Sequence, residues 1–247
     1  MNKKVWFTGC QHYGHYNSKG IGIIDYKNRP FSNIKEHDEC LIDNYNSIIK
    51  SDDDVFHLGD FALCQTREVQ RIANILNGTK FLVLGNHDIT ITKNKDLFVG
   101  KDKPFKWIRT INNYIHNYAQ PNINNKLIVM CHFPFRTWQS KHYQSWHIFS
   151  HSHGDLESLP GELTVDVSVD SIAKYLGGKQ EDYRPIEFEE LFIIITKIRS
   201  DGFIMNKGGS EDPLKNKCFK CSAKANNWIP MCDNCMPKIF PNSIKIK

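Results

Sequence analysis

Five short apolar runs, each leading into residues that can bind a cation or move a proton, constrain this chain more than any other feature. They are KVWFTGC (4–10), DVFHLGD (54–60), KFLVLGN (80–86), KLIVMCH (126–132) and HIFSHSHG (147–154). Runs of this length, nearly continuous in Val, Ile, Leu and Phe, are predicted to be strands buried on both faces. Helical patterns lie between them. In TREVQRIANILNG, Thr66 offers a cap, Val69, Ile72, Ala73 and Leu76 recur at helical spacing, and Gly78 closes the end. SNIKEHDECLIDNYNSIIK is a second helix candidate, with Ile34, Leu41, Tyr45, Ile48 and Ile49 facing inward. Strand and helix in alternation predict an α/β domain with layered sheets.

Further along, two β-rich runs flank the Asn- and Pro-containing stretch AQPNINN, as in a hairpin. Strand signals continue through ELTVDVSVD and, after Gly177 and Gly178, resume at LFIIITKI (191–198). At about Gly208 the composition changes to a linker, KGGSEDP, followed by a Lys- and Cys-rich tail. The expected organisation is one domain over 1–207 and a small segment over 208–247. A length of 247 residues suffices for that plan.

With 24% charged and 40% hydrophobic residues the composition is that of a globular protein. No stretch approaches the roughly 20 apolar residues of a membrane helix, and the start lacks the pattern of a signal peptide. The expectation is a cytoplasmic protein without membrane contact. A net charge of +5 suits a phosphate-bearing partner without requiring one. Of eight cysteines, Cys10, Cys40, Cys64 and Cys131 are scattered and four are crowded near the C-terminus, a usage that fits a reducing compartment.

At or just after the strand ends stand Cys10 and His12, Asp60, Asn86 with His87 and Asp88, His132, and the pair His151 and His153. Ligands of open α/β sheets gather at that edge, and imidazole, carboxylate and amide oxygen hold Zn, Fe or Mn. Each residue taken alone has a plain explanation as a turn or surface residue. Spacing two in HSH is the stronger sign, because alternate residues of an extended segment point the same way.

The series GCQH, GDF, GNHD, CH and HSHG resembles the calcineurin-like metallophosphoesterase family, whose pattern runs D-x-H, G-D, G-N-H-E/D, a lone H and G-H-x-H. The likeness covers residues 1 to about 195, and GNHD after an apolar strand is its most specific part. NRPF (28–31), FPFRTW (133–138) and YRPIEFEEL (183–191) look like the small bacterial and phage members. The resemblance implies a βαβαβ two-sheet sandwich flanked by helices, with two divalent metal ions (Zn, Fe or Mn). It implies that His12, His153 and the residue at position 10 bind the first ion and that Asp60 bridges both. Asn86, His132 and His151 would hold the second, His87 would act as general acid or charge stabiliser, and Asp88 would orient its ring.

Chemistry supports those roles independently. Two cations about 3.5–4 Å apart deprotonate water near neutral pH for in-line attack on phosphorus, and they neutralise the phosphoryl oxygens. An imidazole with pKa near 6.5 can protonate the leaving alkoxide. Arg136 and His15 are candidate substrate-binding residues, each equally explicable as a surface residue.

Two positions depart from the family pattern. Ser150 replaces a glycine, a change that backbone geometry can tolerate. Cys10 replaces an aspartate. As a thiolate it carries the same charge as the carboxylate and shifts preference toward Zn or Fe(II). RNA lariat debranching enzymes are similar in carrying a cysteine there. The opposing possibility is a buried structural thiol beside a single remaining metal.

CFKC (218–221) and CDNC (232–235) place Cys218, Cys221, Cys232 and Cys235 at the spacing of a tetrahedral structural zinc site. Lys215, Lys217, Lys220, Lys224 and Lys238, with Phe219 and Trp228, suit RNA or DNA contact, although such ribbons also stabilise termini or bind protein. The expected function is a phosphodiesterase acting on a nucleotide or nucleic acid. A phosphomonoesterase or nucleoside-polyphosphate hydrolase is the alternative within enzymes, and a catalytically silent nucleic-acid-binding protein the alternative outside them.

Overall fold

The computed structural model describes residues 3–106, 117–156 and 161–202. The linker and the four-cysteine segment at 208–247, with its expected zinc site and nucleic-acid contacts, lie outside the described residues. The fold is mixed α/β with two sheets and flanking helices. Its first half runs β1 (Val5–Thr8), α1 (Ile23–Lys27), α2 (Ile34–Ile48), β2 (Asp54–His57), α3 (Thr66–Ile75), β3 (Thr79–Leu82), α4 (Ile89–Lys93), α5 (Lys95–Phe98) and β4 (Phe105–Lys106). Its second half runs β5 (Tyr118–Ala119), β6 (Asn122–Ile123), β7 (Lys126–Cys131), β8 (Trp146–Phe149), β9 (Thr164–Asp166), α6 (Val169–Leu176), β10 (Ile186–Glu187) and α7 (Phe188–Gly202).

The chain divides into two units, one of Met1–Leu156 with Asp166–Phe188 and the other of Glu157–Val165 with Glu189–Lys247. In the first unit β1, β2, β3 and β4 are parallel neighbours, and β10 adds antiparallel to β1. The helices α2 and α3 make the crossovers between β1, β2 and β3. Both faces of this sheet are covered, which is why its strands read as unbroken apolar runs. Trp6 and Val55 join Leu41, Tyr45, Val69 and Ile72 of the two helices in one core. On the opposite face Phe7, Phe56 and Phe81 are in register across three strands, with ring centroids 5.9 and 4.9 Å apart.

The helices form for local reasons. Asn33 caps α2 by accepting from the Glu36 amide at 2.9 Å, and His37, Leu41, Ile42 and Tyr45 make its inward face. In α3, Val69, Ile72 and Ala73 are buried as the spacing predicts. Thr66, expected as its cap, is instead the first helical residue after an extended Gln65.

In the second sheet β7 pairs with β8 in parallel and with β5 and β6 antiparallel. Most of the first run of the expected hairpin, 107–116, lies outside the described residues; β5 at its end pairs antiparallel with β7, and a tighter hairpin, β6–β7, forms within the stretch expected as the turn and is closed by Asn124 and Asn125 at φ 49° and 62°. Asparagine tolerates the left-handed conformation that a two-residue turn requires. The run 191–198 was expected to be a strand and is helix α7. An apolar run cannot by itself separate the two states, and Glu189 and Glu190 in the first turn favour the helix through its dipole. Among the described residues no helix is long and apolar enough to cross a membrane.

Register positions the site. Thr8, His57 and Leu82 are lateral neighbours at the carboxyl ends of β1, β2 and β3, so the next residues of all three strands leave by one edge. His132 follows β7, and the His151–His153 segment follows the parallel β8.

Two buried imidazoles make the fold acid-sensitive. His57 meets Gln11 Nε2 at 3.3 Å and Tyr45 Oη at 3.4 Å. His147 accepts from the Phe135 amide at 3.0 Å and donates to the Val129 carbonyl. Burial lowers His57 to about 3 and His147 to about 4. Their unfolded-state value is near 6.5, so their contribution to stability is complete above pH 6.5 and is lost as pH falls toward 3. Urea unfolding should therefore weaken between pH 6 and 5, by up to about 1.4 kcal/mol per pH unit for each proton taken up. His147→Gln should reduce that slope by about one proton; an unchanged slope would show that His147 is not buried neutral.

Candidate metal centre

The strand ends deliver their side chains through a strained backbone. Cys10, His12, Asp60 and His153 have φ of 53°, 56°, 53° and 52°, the left-handed region that side chains other than Gly, Asn and Asp seldom enter. Each such residue costs on the order of 1–2 kcal/mol, a strain that other contacts must hold in place. Here the loops after β1 and β2 are bonded to each other: the amides of Cys10, His12 and Tyr13 donate to the carbonyls of Gly59, Asp60 and Phe61 at 2.9–3.0 Å. Gly59, at φ +89°, has no room for a Cβ, which would stand 2.9 Å from His132 Nδ1 and closer still to Gly85.

Four acceptor atoms converge on one side of Asp60. His132 Nε2 lies 3.0 Å from Asn86 Oδ1, 3.1 Å from His151 Nδ1 and 3.3 Å from Asp60 Oδ2. His132 Nδ1 is 2.8 Å from the Leu58 carbonyl, so the proton sits on Nδ1 and a lone pair on Nε2 faces this group. Acceptors brought this close can share a cation or a proton between them. Burial lowers the His132 pKa, and the hydrogen bond and charge of Asp60 more than reverse that.

On the other side the ligand atoms of Cys10, His12 and His153 lie within 4.8 Å of one another, as do those of Cys10, Asp60 and His132. Asp60 Oδ2 is 3.6 Å from His12 Nε2, so this one oxygen faces both groups. Both ring nitrogens of His12 are buried with no hydrogen-bond partner among the described residues. That is a costly arrangement, about 1–3 kcal/mol for each polar atom, unless a ligand takes them. Burial first, then the Asp60 charge, push the Cys10 thiol well above its ordinary value, and it donates to the Ser150 carbonyl at 3.1 Å. A bound cation reverses that balance and favours the thiolate. Buried Cys, His and Asp groups at these spacings could hold a metal ion, and the sulfur, nitrogen and oxygen donors fit divalent transition metals.

All seven expected ligand positions thus meet in the first unit. His15 joins them: its ring is 5.1 Å from that of His12, 6.0 Å from that of His87 and 5.9 Å from that of Tyr26. His87 is half-buried with its ring 5.5 Å from His12, and its amide donates to Asp60 Oδ1 at 2.8 Å. Arg136 is exposed and takes no part in the hydrogen bonds of the cluster. Asp88 differs from expectation. Its carboxylate accepts from the backbone amides of Asp60, Phe61 and Gly85 at 2.8–2.9 Å, so it ties the loop of β3 to the loop of β2 instead of orienting the His87 ring. Burial raises it to about 6.

Several supporting residues escaped the sequence. The Ser150 hydroxyl donates to the Leu58 carbonyl at 2.6 Å and lies 3.1 Å from His132 Nδ1, and Ser150 has no positive φ, so the backbone there has no need of glycine. Asp166 accepts from the amides of Gly154 and Ser168 at 2.8 Å, which holds the segment after His153. Asp170 accepts from His153 Nδ1 at 2.6 Å. Asp170 sits in ELTVDVSVD, whose strand pattern concealed the start of α6 capped by Ser168.

No protein-family model matches the chain. Over 88 residues it is 35% identical to the uncharacterised protein MJ1445 of Methanocaldococcus jannaschii, a match covering 35% of this chain and 47% of that one. Over 95 residues it is 32% identical to the Gene 66 protein of Mycobacterium phage L5, covering 37% of this chain and 43% of the phage protein. The matched regions span less than half the length of these relatives. In fold it is similar to the crystal structure of AQ665, a protein of unknown function from Aquifex aeolicus. The TM-score is 0.50 with 20% identity, over 77% of this chain and 98% of that one.

Two substitutions test the centre. Cys10→Ser should lower bound metal, measured by elemental analysis after purification with Zn; unchanged stoichiometry removes Cys10 from the ligand set. Gly85→Ala places a Cβ against the Asp60 carboxylate and amide. It should destabilise the chain by about 1–3 kcal/mol in urea and weaken metal binding together. Full retention of both would contradict the close approach.

Proposed function

We propose that this chain is a dinuclear-metal-dependent phosphoesterase of calcineurin-like type, acting on a phosphodiester of a nucleotide or nucleic acid. The observation that carries the proposal is the position of Asp60, one oxygen facing His132, Asn86 and His151 on one side and His12, Cys10 and His153 on the other. Divalent cations held there would supply Lewis acidity, lowering the pKa of water and offsetting charge on phosphoryl oxygens.

The chain's own groups do the remainder. Cys10, His12 and His153 are buried, whereas Asn86 and His151 are exposed, so substrate reaches the centre from the Asn86–His151 side. His87, held at its backbone by Asp60, would give a proton to the leaving oxygen. His15, whose ring lies beside those of His12 and His87, would contact a phosphoryl oxygen. The four cysteines at 218–235 would hold one structural zinc by their spacing alone.

The test is an assay of the purified chain with Mn, Fe or Zn on a chromogenic diester, a chromogenic monoester, and 3′–5′ and 2′–5′ dinucleotides. Diester turnover should exceed monoester turnover and fall at least roughly 100-fold in Asp60→Asn. Faster monoester turnover would reassign the substrate class. Retention of RNA or DNA without turnover of any ester would replace the enzyme with a binding protein.

A further inference from the structure

Arg29, in the stretch Asn28–Phe31, is buried, and each of its five N–H donors has a partner. Nε donates to Asp170 Oδ1 at 2.8 Å and Nη2 to Asp170 Oδ2 at 2.7 Å, a two-pronged contact with one carboxylate. The second Nη2 hydrogen goes to the Cys10 carbonyl at 2.7 Å. Nη1 serves the Gln11 carbonyl at 2.9 Å and His37 Nε2 at 2.7 Å. A guanidinium has no acceptor, so His37 Nε2 must accept and its proton must sit on Nδ1, 2.7 Å from Asp38 Oδ1. The other oxygen of Asp38 accepts from the Gly14 amide at 2.8 Å. The loop after β1 is thereby gripped at Cys10, Gln11 and Gly14 by a continuous buried chain, Asp38–His37–Arg29–Asp170.

That chain ends on a candidate ligand. Asp170 Oδ2 also accepts from His153 Nδ1 at 2.6 Å, which places the proton on Nδ1 and leaves Nε2 with a lone pair for the group formed by Cys10 and His12. We propose that Arg29 and Asp170 are positioning residues that pre-form the Cys10–His12–His153 half of the centre, Asp170 by fixing the His153 ring and Arg29 by holding the Cys10–Gln11 backbone. The inference rests on the metal-centre reading above. Lysine cannot replace Arg29, because its three donors lack the planar fork that serves a carboxylate, two carbonyls and an imidazole at once.

The test uses Co(II) uptake and absorption measured against a reference full chain carrying Cys10→Ser and Asp60→Asn, which keeps the four cysteines at 218–235 and so cancels their signal; the remaining thiolate charge-transfer and d–d bands report on Cys10 and on the coordination geometry. Three proteins are compared: the unaltered full chain, Arg29→Lys, and the double variant Arg29→Met with Asp170→Leu. The double variant replaces a buried ion pair by apolar residues of similar size, so it leaves no unpaired buried charge and can keep its fold. Both variants should bind Co(II) about 10–100-fold more weakly and with altered absorption. Far-UV circular dichroism should show them folded. In the unaltered, metal-free chain, imidazole ¹⁵N resonances should show His153 as the Nδ1–H tautomer, and the double variant should lose that preference. If the unaltered chain shows no Co(II) uptake or absorption beyond that of the reference chain at any ratio, the metal-centre reading fails and this inference with it. If it binds Co(II) but either folded variant keeps the same affinity and spectrum, Arg29 and Asp170 are structural only and this inference alone is overturned. An Nε2–H tautomer of His153 in the unaltered chain would overturn it even if neither variant folds.

Discussion

A single carboxylate organises the site. Asp60 uses Oδ1 to accept the His87 amide and turns Oδ2 toward His132 and His12, which stand on opposite flanks. Burial alone would drive this group to its neutral form; the hydrogen bond and charge of His132 outweigh that and keep its pKa below the ordinary value. The surrounding backbone is arranged to permit this. Gly59 and Gly85 bring the loops of β2 and β3 closer than any side chain would allow, and Asp88 fastens those loops by three amides. The sheet register places the two loops side by side at one edge.

The two flanks differ in character. On one, sulfur and imidazole are sealed from solvent and backed by Asp170 and Arg29. On the other, an amide and an imidazole stand in contact with solvent, and Phe133, 43% exposed, lies 4.5 Å from the His151 ring. The sealed flank gathers soft donors out of reach of water, and the open flank meets solvent directly. Left-handed backbone at Cys10, His12 and His153 is confined to the sealed flank and to Asp60, where packing is dense enough to hold it.

Much of this was legible in the sequence. Apolar runs such as DVFHLGD and KFLVLGN marked strands covered on both faces, and the polar residue at the end of each marked the edge where the loops meet. The inward face of α3 followed from spacing. Where the sequence misled, the cause was physical. The run 191–198 opens with five apolar residues in succession, which gives neither a period of two nor a clean helical stripe, so its state was decided by its flanks. Asp170 lay in an apparent strand and became the first turn of a helix. Asp88 stood next to a histidine in sequence, but its partners are amides brought close only by folding. Arg29 carried no sign of burial, since a guanidinium enters a core only where every donor is matched.

The contact between the loops of β1 and β8 has one more consequence. A Cβ at Gly9 would lie 2.6 Å from Ser150 Cβ and 2.7 Å from its hydroxyl, atoms that a glycine at 150 would not possess. Positions 9 and 150, 141 apart in number, therefore share one small volume, and a methyl group can be held by one of them but not by both. In kindred chains, enlargement at either position should track a glycine at the other, a covariation set by steric exclusion and not by any shared chemistry.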